Sequence, residues 1–173
     1  MKKEENKIGI LGGSFDPAHK GHLAISKEAA KRFKLKKIVW AITKKNPFKK
    51  KSNLDLSERI KFCKKIVRNN KFIEVKFFEK KIRSNKTINL INFLTKNKKN
   101  KIYFIIGADN LINFHKWDKW KIISQKSIII VFDRHGYKKK SINSKAYKSL
   151  NKDKLKFIKF NKVNISSSQL RKI

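Results

Sequence analysis

GGSFDPAHKGH, Gly12–His22, follows the apolar run Ile8–Leu11 and hands over at once to HLAISKEAAKRF, His22–Phe33. A short strand that ends in two glycines and continues into good helix formers reads as the opening unit of an α/β sheet. Gly12 and Gly13 let the backbone come close to a ligand, and Pro17 stiffens the turn. The helix that begins near His22 aims its free N–H groups and positive dipole end at the same point, so an anion is the natural occupant. His19 and His22 are three residues apart, which brings both imidazoles to one side once the helix has begun, and Gly21 between them leaves room for a substrate. Two ring N–H groups there can hold triphosphate oxygens and stabilise charge as a phosphoanhydride breaks. The stretch is neither a G-x-x-x-x-G-K-[ST] phosphate loop nor a G-x-G-x-x-G dinucleotide fingerprint, because Ser14-Phe15-Asp16-Pro17 follows the glycines and no Gly-Lys-Ser occurs.

Outward from this loop, apolar runs and helical patterns alternate. Lys37–Ile42, Phe72–Phe78, Lys101–Ile106 and Ser127–Phe132 read as strands, and Leu155–Phe160, which alternates, as an edge strand. Ile60, Cys63, Ile66 and Val67 mark one face of a helix over Ser57–Val67, and Lys86–Thr95 reads as another helix. Thr43–Asn53 has no apolar period and reads as a loop. Val163–Ile165 leads into Ser166–Ser168, whose hydroxyls suit the cap of a final short helix. The alternation predicts a doubly wound, mostly parallel sheet with right-handed crossovers, as a single domain over residues 1–173. In such a sheet the ligand lies outside the carboxyl ends of the strands where strand order reverses, which places Gly12 and the fourth strand's Gly107 at the crevice.

The composition sets the outer bounds. No run of eighteen apolar residues exists to span a bilayer, and MKKEENKIGILGG does not resemble a secretory signal, so a cytoplasmic protein is expected. Cys63 is the single cysteine, which rules out an internal disulfide, and the four histidines form no zinc spacing with it. The formal net charge of +35 would ordinarily suggest a nucleic acid. Its lysines, however, run from Lys2 to Lys172 among abundant Asn and Ile, which fits a coding bias better than a binding face, and no specific nucleic acid is expected.

GGSFDPAHKGH resembles the signature of the HxGH nucleotidyltransferase superfamily. KTINL (Lys86–Leu90), FIIGADNL (Phe104–Leu111), Trp117, RHGY (Arg134–Tyr137) and ISSSQLR (Ile165–Arg171) extend the likeness nearly end to end, toward the bacterial nicotinate-nucleotide adenylyltransferases. The family often has threonine where Ser14 stands, which keeps the hydroxyl, and proline where His135 stands. The resemblance implies a Rossmann-like nucleotidyltransferase fold and an enzyme that joins nicotinate mononucleotide to ATP in NAD biosynthesis, giving nicotinate adenine dinucleotide and pyrophosphate. It implies catalytic roles for His19, His22 and Arg171. ATP is expected on Gly12, Gly13, Ser14, Phe15, His19 and His22, on Gly107 and Asp109 for the ribose hydroxyls, and on Ile165, Ser167, Ser168 and Arg171 as the opposing grip.

For the mononucleotide, Trp117 is expected to stack on the pyridine and Thr87 to receive its carboxylate. Lys44, Lys49 and Arg134 are expected to meet its phosphate or carboxylate. Mg²⁺ is expected with ATP, held by substrate and water, with Asp16 reaching it through water and no protein metal site. The rival readings are an amide mononucleotide or phosphopantetheine as acceptor, and, outside enzymes, a basic nucleic-acid-binding module.

Overall fold

The apolar runs become strands that lie side by side in one sheet. The computed structural model describes residues 4–45 and 51–160. Its strands are β1 (Asn6–Gly13), β2 (Lys37–Ile42), β3 (Ile73–Lys76), β4 (Asn100–Gly107), β5 (Ser127–Phe132) and β6 (Leu155–Ile158). Every pairing is parallel, in the order β3-β2-β1-β4-β5-β6. The order reverses between β1 and β4, so the crevice expected from the first motif lies between Gly13 and Gly107.

Eight helices connect the strands among the described residues: α1 (Lys20–Phe33), α2 (Leu56–Val67), α3 (Glu79–Ile82), α4 (Thr87–Thr95), α5 (Ala108–Asn113), α6 (Trp120–Lys126), α7 (Lys138–Ile142) and α8 (Lys145–Ser149). Because side chains alternate along each strand, the sheet carries a core on both faces. Ile8, Ile10, Phe104 and Val131 pack with Ile91 of α4, Leu111 of α5, Ile123 of α6 and Ala146 of α8. Leu11, Trp40, Ile105 and Ile130 pack with Ala29 of α1 and with Cys63 and Val67 of α2. Gly9 lets α1's end approach the central strand, since a Cβ there would sit 2.9 Å from Leu35 Cδ1.

The expected strands stand, with β2 and β5 matching to the residue, and β6 pairs parallel at the edge. The differences lie in the short helices. α3, α5, α6, α7 and α8 each have seven residues or fewer, too short to show a helical period in the sequence. On α2 the buried stripe is Arg59, Cys63 and Val67, with Ile60 and Ile66 only partly buried, so a charged residue occupies a core position. The C-terminal helix expected after Ser166–Ser168, and with it Ile165, Ser167, Ser168 and Arg171, lies outside the described residues, as does Lys49.

Candidate active site

The loop between β1 and α1 is shaped by its own side chains. Phe15 adopts a left-handed backbone (φ 48°), which costs a non-glycine residue about 1 kcal/mol. Its ring stacks on buried Trp40 of β2 at 5.0 Å, and that packing offsets the cost. Asp16, buried in the same turn, accepts hydrogen bonds from the backbone N–H groups of Asn53 (2.7 Å) and Leu54 (3.0 Å). It therefore fastens the approach to α2 and does not face the cleft, which corrects the expectation of a water-mediated metal contact.

The two histidines cap α1 reciprocally. His19 Nδ1 accepts from the Gly21 N–H at 3.1 Å, and His22 Nδ1 accepts from the His19 N–H at 3.1 Å. A ring nitrogen that accepts a hydrogen bond carries no proton, so Nε2 is the nitrogen each ring has left to donate from. The rings lie 3.8 Å apart between centroids, on one side of the helix start, and both line the cleft. Phe15 supports His22 at 4.9 Å and Trp40 meets it edge-on at 5.9 Å. Below them Trp40 Nε1–H donates to Ser26 Oγ at 2.9 Å, and Ser26 donates to the His22 carbonyl at 2.8 Å.

Desolvation, aided by the Arg134 charge, lowers the His19 pKa to about 4, so the ring is a neutral donor at pH 7. Because the folded value lies below the unfolded one, the neutral ring's stabilisation is complete above the ordinary imidazole value of 6.5. It is lost as pH falls from there through about 4. We expect imidazole NMR of the free protein to show the His19 Nε2–H tautomer at pH 7 and a titration midpoint near 4, and ATP to raise that midpoint. A midpoint near 6.5 without ATP would contradict the desolvated setting.

One cleft of about 650 Å³ at the carboxyl ends of the strands gathers most of the expected residues. Gly12, Gly13, Ser14 and Phe15 line it beside the histidines. A Cβ on Gly12 would meet nothing nearer than Phe104 Cε2 at 4.0 Å, so that glycine leaves room in the cleft. Across the reversal, Gly107 and Asp109 contribute from β4 and α5, and Arg134 from the segment after β5. Arg134 Nη1 lies 2.6 Å from Asp109 Oδ2. With its charge also felt by His19, Arg134 belongs to the half that holds the histidines and Asp109.

Thr87 and Trp117 line the other end. Thr87 is the first residue of α4 and Lys86 its cap, so Thr87 is not occupied as an N-cap. Trp117 shares both its possible roles: it packs edge-on against Phe114 (5.2 Å) and Phe104 (6.0 Å) and also borders the cleft. An ion pair of Lys86 with Asp118 at 3.2 Å ties these two walls together. Lys44 does not join them. Its residue is exposed just past β2, outside the lining of the cleft.

Two residues of this region were not anticipated. Buried Arg59 donates through Nη1 to the carbonyls of Ser14 (2.7 Å) and Thr43 (2.8 Å), and through Nη2 to that of Lys44 (2.9 Å). Glu79 of α3 accepts from the Thr43 hydroxyl and, at 3.2 Å, from the Lys44 N–H. The signal for Arg59 was its place one turn before Cys63 on a helix face otherwise apolar. Nothing local marked Glu79.

Comparison with known proteins agrees with this geometry. A family model described as cytidylyltransferase-like matches residues 10–173. The chain is 65% identical over its full length to a protein of Pelagibacter ubique (strain HTCC1062), named probable nicotinate-nucleotide adenylyltransferase, and covers 96% of it. It is 34% identical over 129 residues to a protein of the same name from Cereibacter sphaeroides (strain ATCC 17025 / ATH 2.4.3), covering 75% of this chain and 70% of that one. Among solved structures, the Plasmodium falciparum nicotinic acid mononucleotide adenylyltransferase complexed with NaAD superposes with a TM-score of 0.80 at 23% identity, over 97% of this chain and 83% of that one.

Proposed function

The chain belongs to the cytidylyltransferase-like family, and from that premise we propose that it joins nicotinate mononucleotide to ATP, giving nicotinate adenine dinucleotide and pyrophosphate. It is a nucleotidyltransferase. The observation that carries the reading is the pair of Nε2–H imidazoles at the strand-order reversal, with Asp109 and Arg134 on one side and Trp117 and Thr87 on the other. The whole chain, 1–173, acts as one domain in this reading, in the cytoplasm. Among the described residues no helix is long and apolar enough to cross a membrane.

An oxygen of the mononucleotide phosphate attacks the α-phosphorus of ATP. The new P–O bond forms as the bond from the α-phosphorus to the bridging oxygen breaks, and pyrophosphate leaves with that electron pair. The nucleophile is already anionic, so the protein has to align two anions and offset their repulsion. His19 and His22 donate to the triphosphate through Nε2–H, and Arg134 adds a fixed positive charge beside them. Asp109 accepts the ribose hydroxyls after its carboxylate turns from Arg134. Ser167, Ser168 and Arg171 serve the phosphates as well, and Ile165 the nucleotide, in the roles that the family resemblance implies. Trp117 stacks on the pyridine, and the α4 start at Thr87 receives the carboxylate. Lys44 and Lys49 serve the mononucleotide phosphate.

Mg²⁺ fits as a companion of ATP. Glu79, Asp109, Asp118 and Asp133 of the cleft each already take a protein donor. Among the described residues no three His, Cys, Asp or Glu side chains gather to hold a metal. Mg²⁺ bound with ATP would be held by phosphate oxygens and water and would offset the triphosphate charge.

The test is pyrophosphate release from ATP with three acceptors in parallel: nicotinate mononucleotide, its amide, and phosphopantetheine. We expect the acid to be used best. Faster release with either alternative reassigns the acceptor, and no release with any of them removes the enzymatic reading.

A further inference from the structure

Arg59 is 2% exposed on the α2 stripe that continues as Cys63 and Val67. Burying a guanidinium is costly unless its charge is compensated. Among the described residues it has no carboxylate partner, and its Nε lacks a hydrogen-bond acceptor. The three carbonyls it does hold offset only part of the cost. A methionine or leucine on the same stripe would fill the space without that burden, so packing alone does not account for an arginine here.

Its acceptors show what the charge does. Ser14 belongs to the loop that presents His19 and His22, while Thr43 and Lys44 follow β2, the strand paired beside β1. The ladder ties them last through the Thr43 N–H, which donates to the Gly13 carbonyl at 2.9 Å, and the rigid, planar guanidinium holds the two segments together beyond that bond. Glu79 holds the second segment from its far side, through the Thr43 hydroxyl and the Lys44 N–H. We propose that Arg59 is a positioning residue which, with Glu79 as its counterpart, sets how the ATP loop lies against the Thr43–Lys44 segment, whose Thr43 lines the cleft beside Gly13. This rests on the adenylyl-transfer reading above. In-line attack requires two separately bound phosphates to meet at a defined distance and angle, and a misplacement of about 1 Å costs about 100-fold in rate. The clamp therefore governs the chemical step more than the affinity for either substrate.

Arg59→Lys keeps the charge and most of the stem, but a single ammonium does not span both segments. We expect it to bind ATP at one site per chain by titration calorimetry, with an affinity near that of wild type, to melt above the assay temperature, and to lose about 10- to 100-fold in kcat. A kcat within about twofold of wild type overturns the proposal. So does a loss of activity that only follows a loss of ATP-binding sites, because that is the signature of a scaffold residue. If Arg59→Lys does not fold, Glu79→Ala frees the same segment from the cleft side, and an unchanged kcat there also overturns it. The wild-type protein, run with ATP and nicotinate mononucleotide in the same assay, separates the two levels. If wild type releases no pyrophosphate, the function is misread; if it turns over and the variants match it, only the clamp is wrong.

Discussion

Replacing His22 by Gln is expected to lower kcat by about 10²- to 10³-fold, the usual cost of removing one donor to a developing charge. The substitution separates the two jobs of this side chain. His22 Nδ1 accepts the His19 N–H at 3.1 Å, and a glutamine at the third helical position makes the same reciprocal bond. The Nε2–H has no counterpart aimed from the same place. The ring contacts to Phe15 and Trp40 are lost as well, at about 0.5–1.5 kcal/mol, which for a chain of this size lowers the melting temperature by a few degrees. Pyrophosphate release at saturating ATP and mononucleotide reads the effect, with thermal melting as the control. His22→Ala removes donor and cap together, so the gap in stability between the two variants measures the cap. A glutamine variant with kcat within about threefold of wild type would remove His22 from the phosphate site.

Gly107→Ala is expected to raise the KM for ATP by about 10- to 100-fold and leave that for the mononucleotide unchanged. Gly107 has an ordinary backbone (φ −82°, ψ 158°), so alanine is not strained there. The new methyl would nevertheless sit 2.5 Å from Asp109 Oδ1. A carboxylate end is the cheapest group to displace, so the fold yields and Asp109 leaves the position from which it reaches Arg134 and, by our reading, the ribose hydroxyls. Initial rates with each substrate varied in turn give both constants. An unchanged KM for ATP would separate Asp109 from the ribose.

Most of the sheet was legible because its central strands are buried on both faces and so are written as unbroken apolar runs. KIYFII and SIIIVF could hardly be anything else. The first motif announced an anion site through its glycines and paired histidines. It did not announce that each histidine spends its Nδ1 on the helix cap, because a cap is a contact between backbone and side chain that no residue type declares. Asp16 looked like a metal contact by proximity to the glycines, but its oxygens face Asn53 and Leu54, some forty residues on. Arg59 and Glu79 escaped for the same reason. Their partners at Ser14, Thr43 and Lys44 are, apart from the Thr43 hydroxyl, backbone groups brought near by the pairing of β1 with β2. Arg134 was read from its loop at a strand end, and nothing in its neighbours hinted at the ion pair with Asp109, 25 residues earlier.

The pairing of β1 with β4 also determines when the protein becomes competent during synthesis. Asn6 lies against Asn100 and Leu11 against Ile105, so the central strand waits for about a hundred residues of nascent chain before its second edge is covered. Such distant pairings are slow to form because the intervening segment must be closed into a loop first. Until then β1 and β2 form a ribbon with one bare apolar edge, the kind of surface that chaperones bind. Gly13 and Gly107 become neighbours in the same event that seals that edge. Nucleotide protection against proteolysis should therefore appear all at once in a series of stalled chains, and only after β4 has left the ribosome.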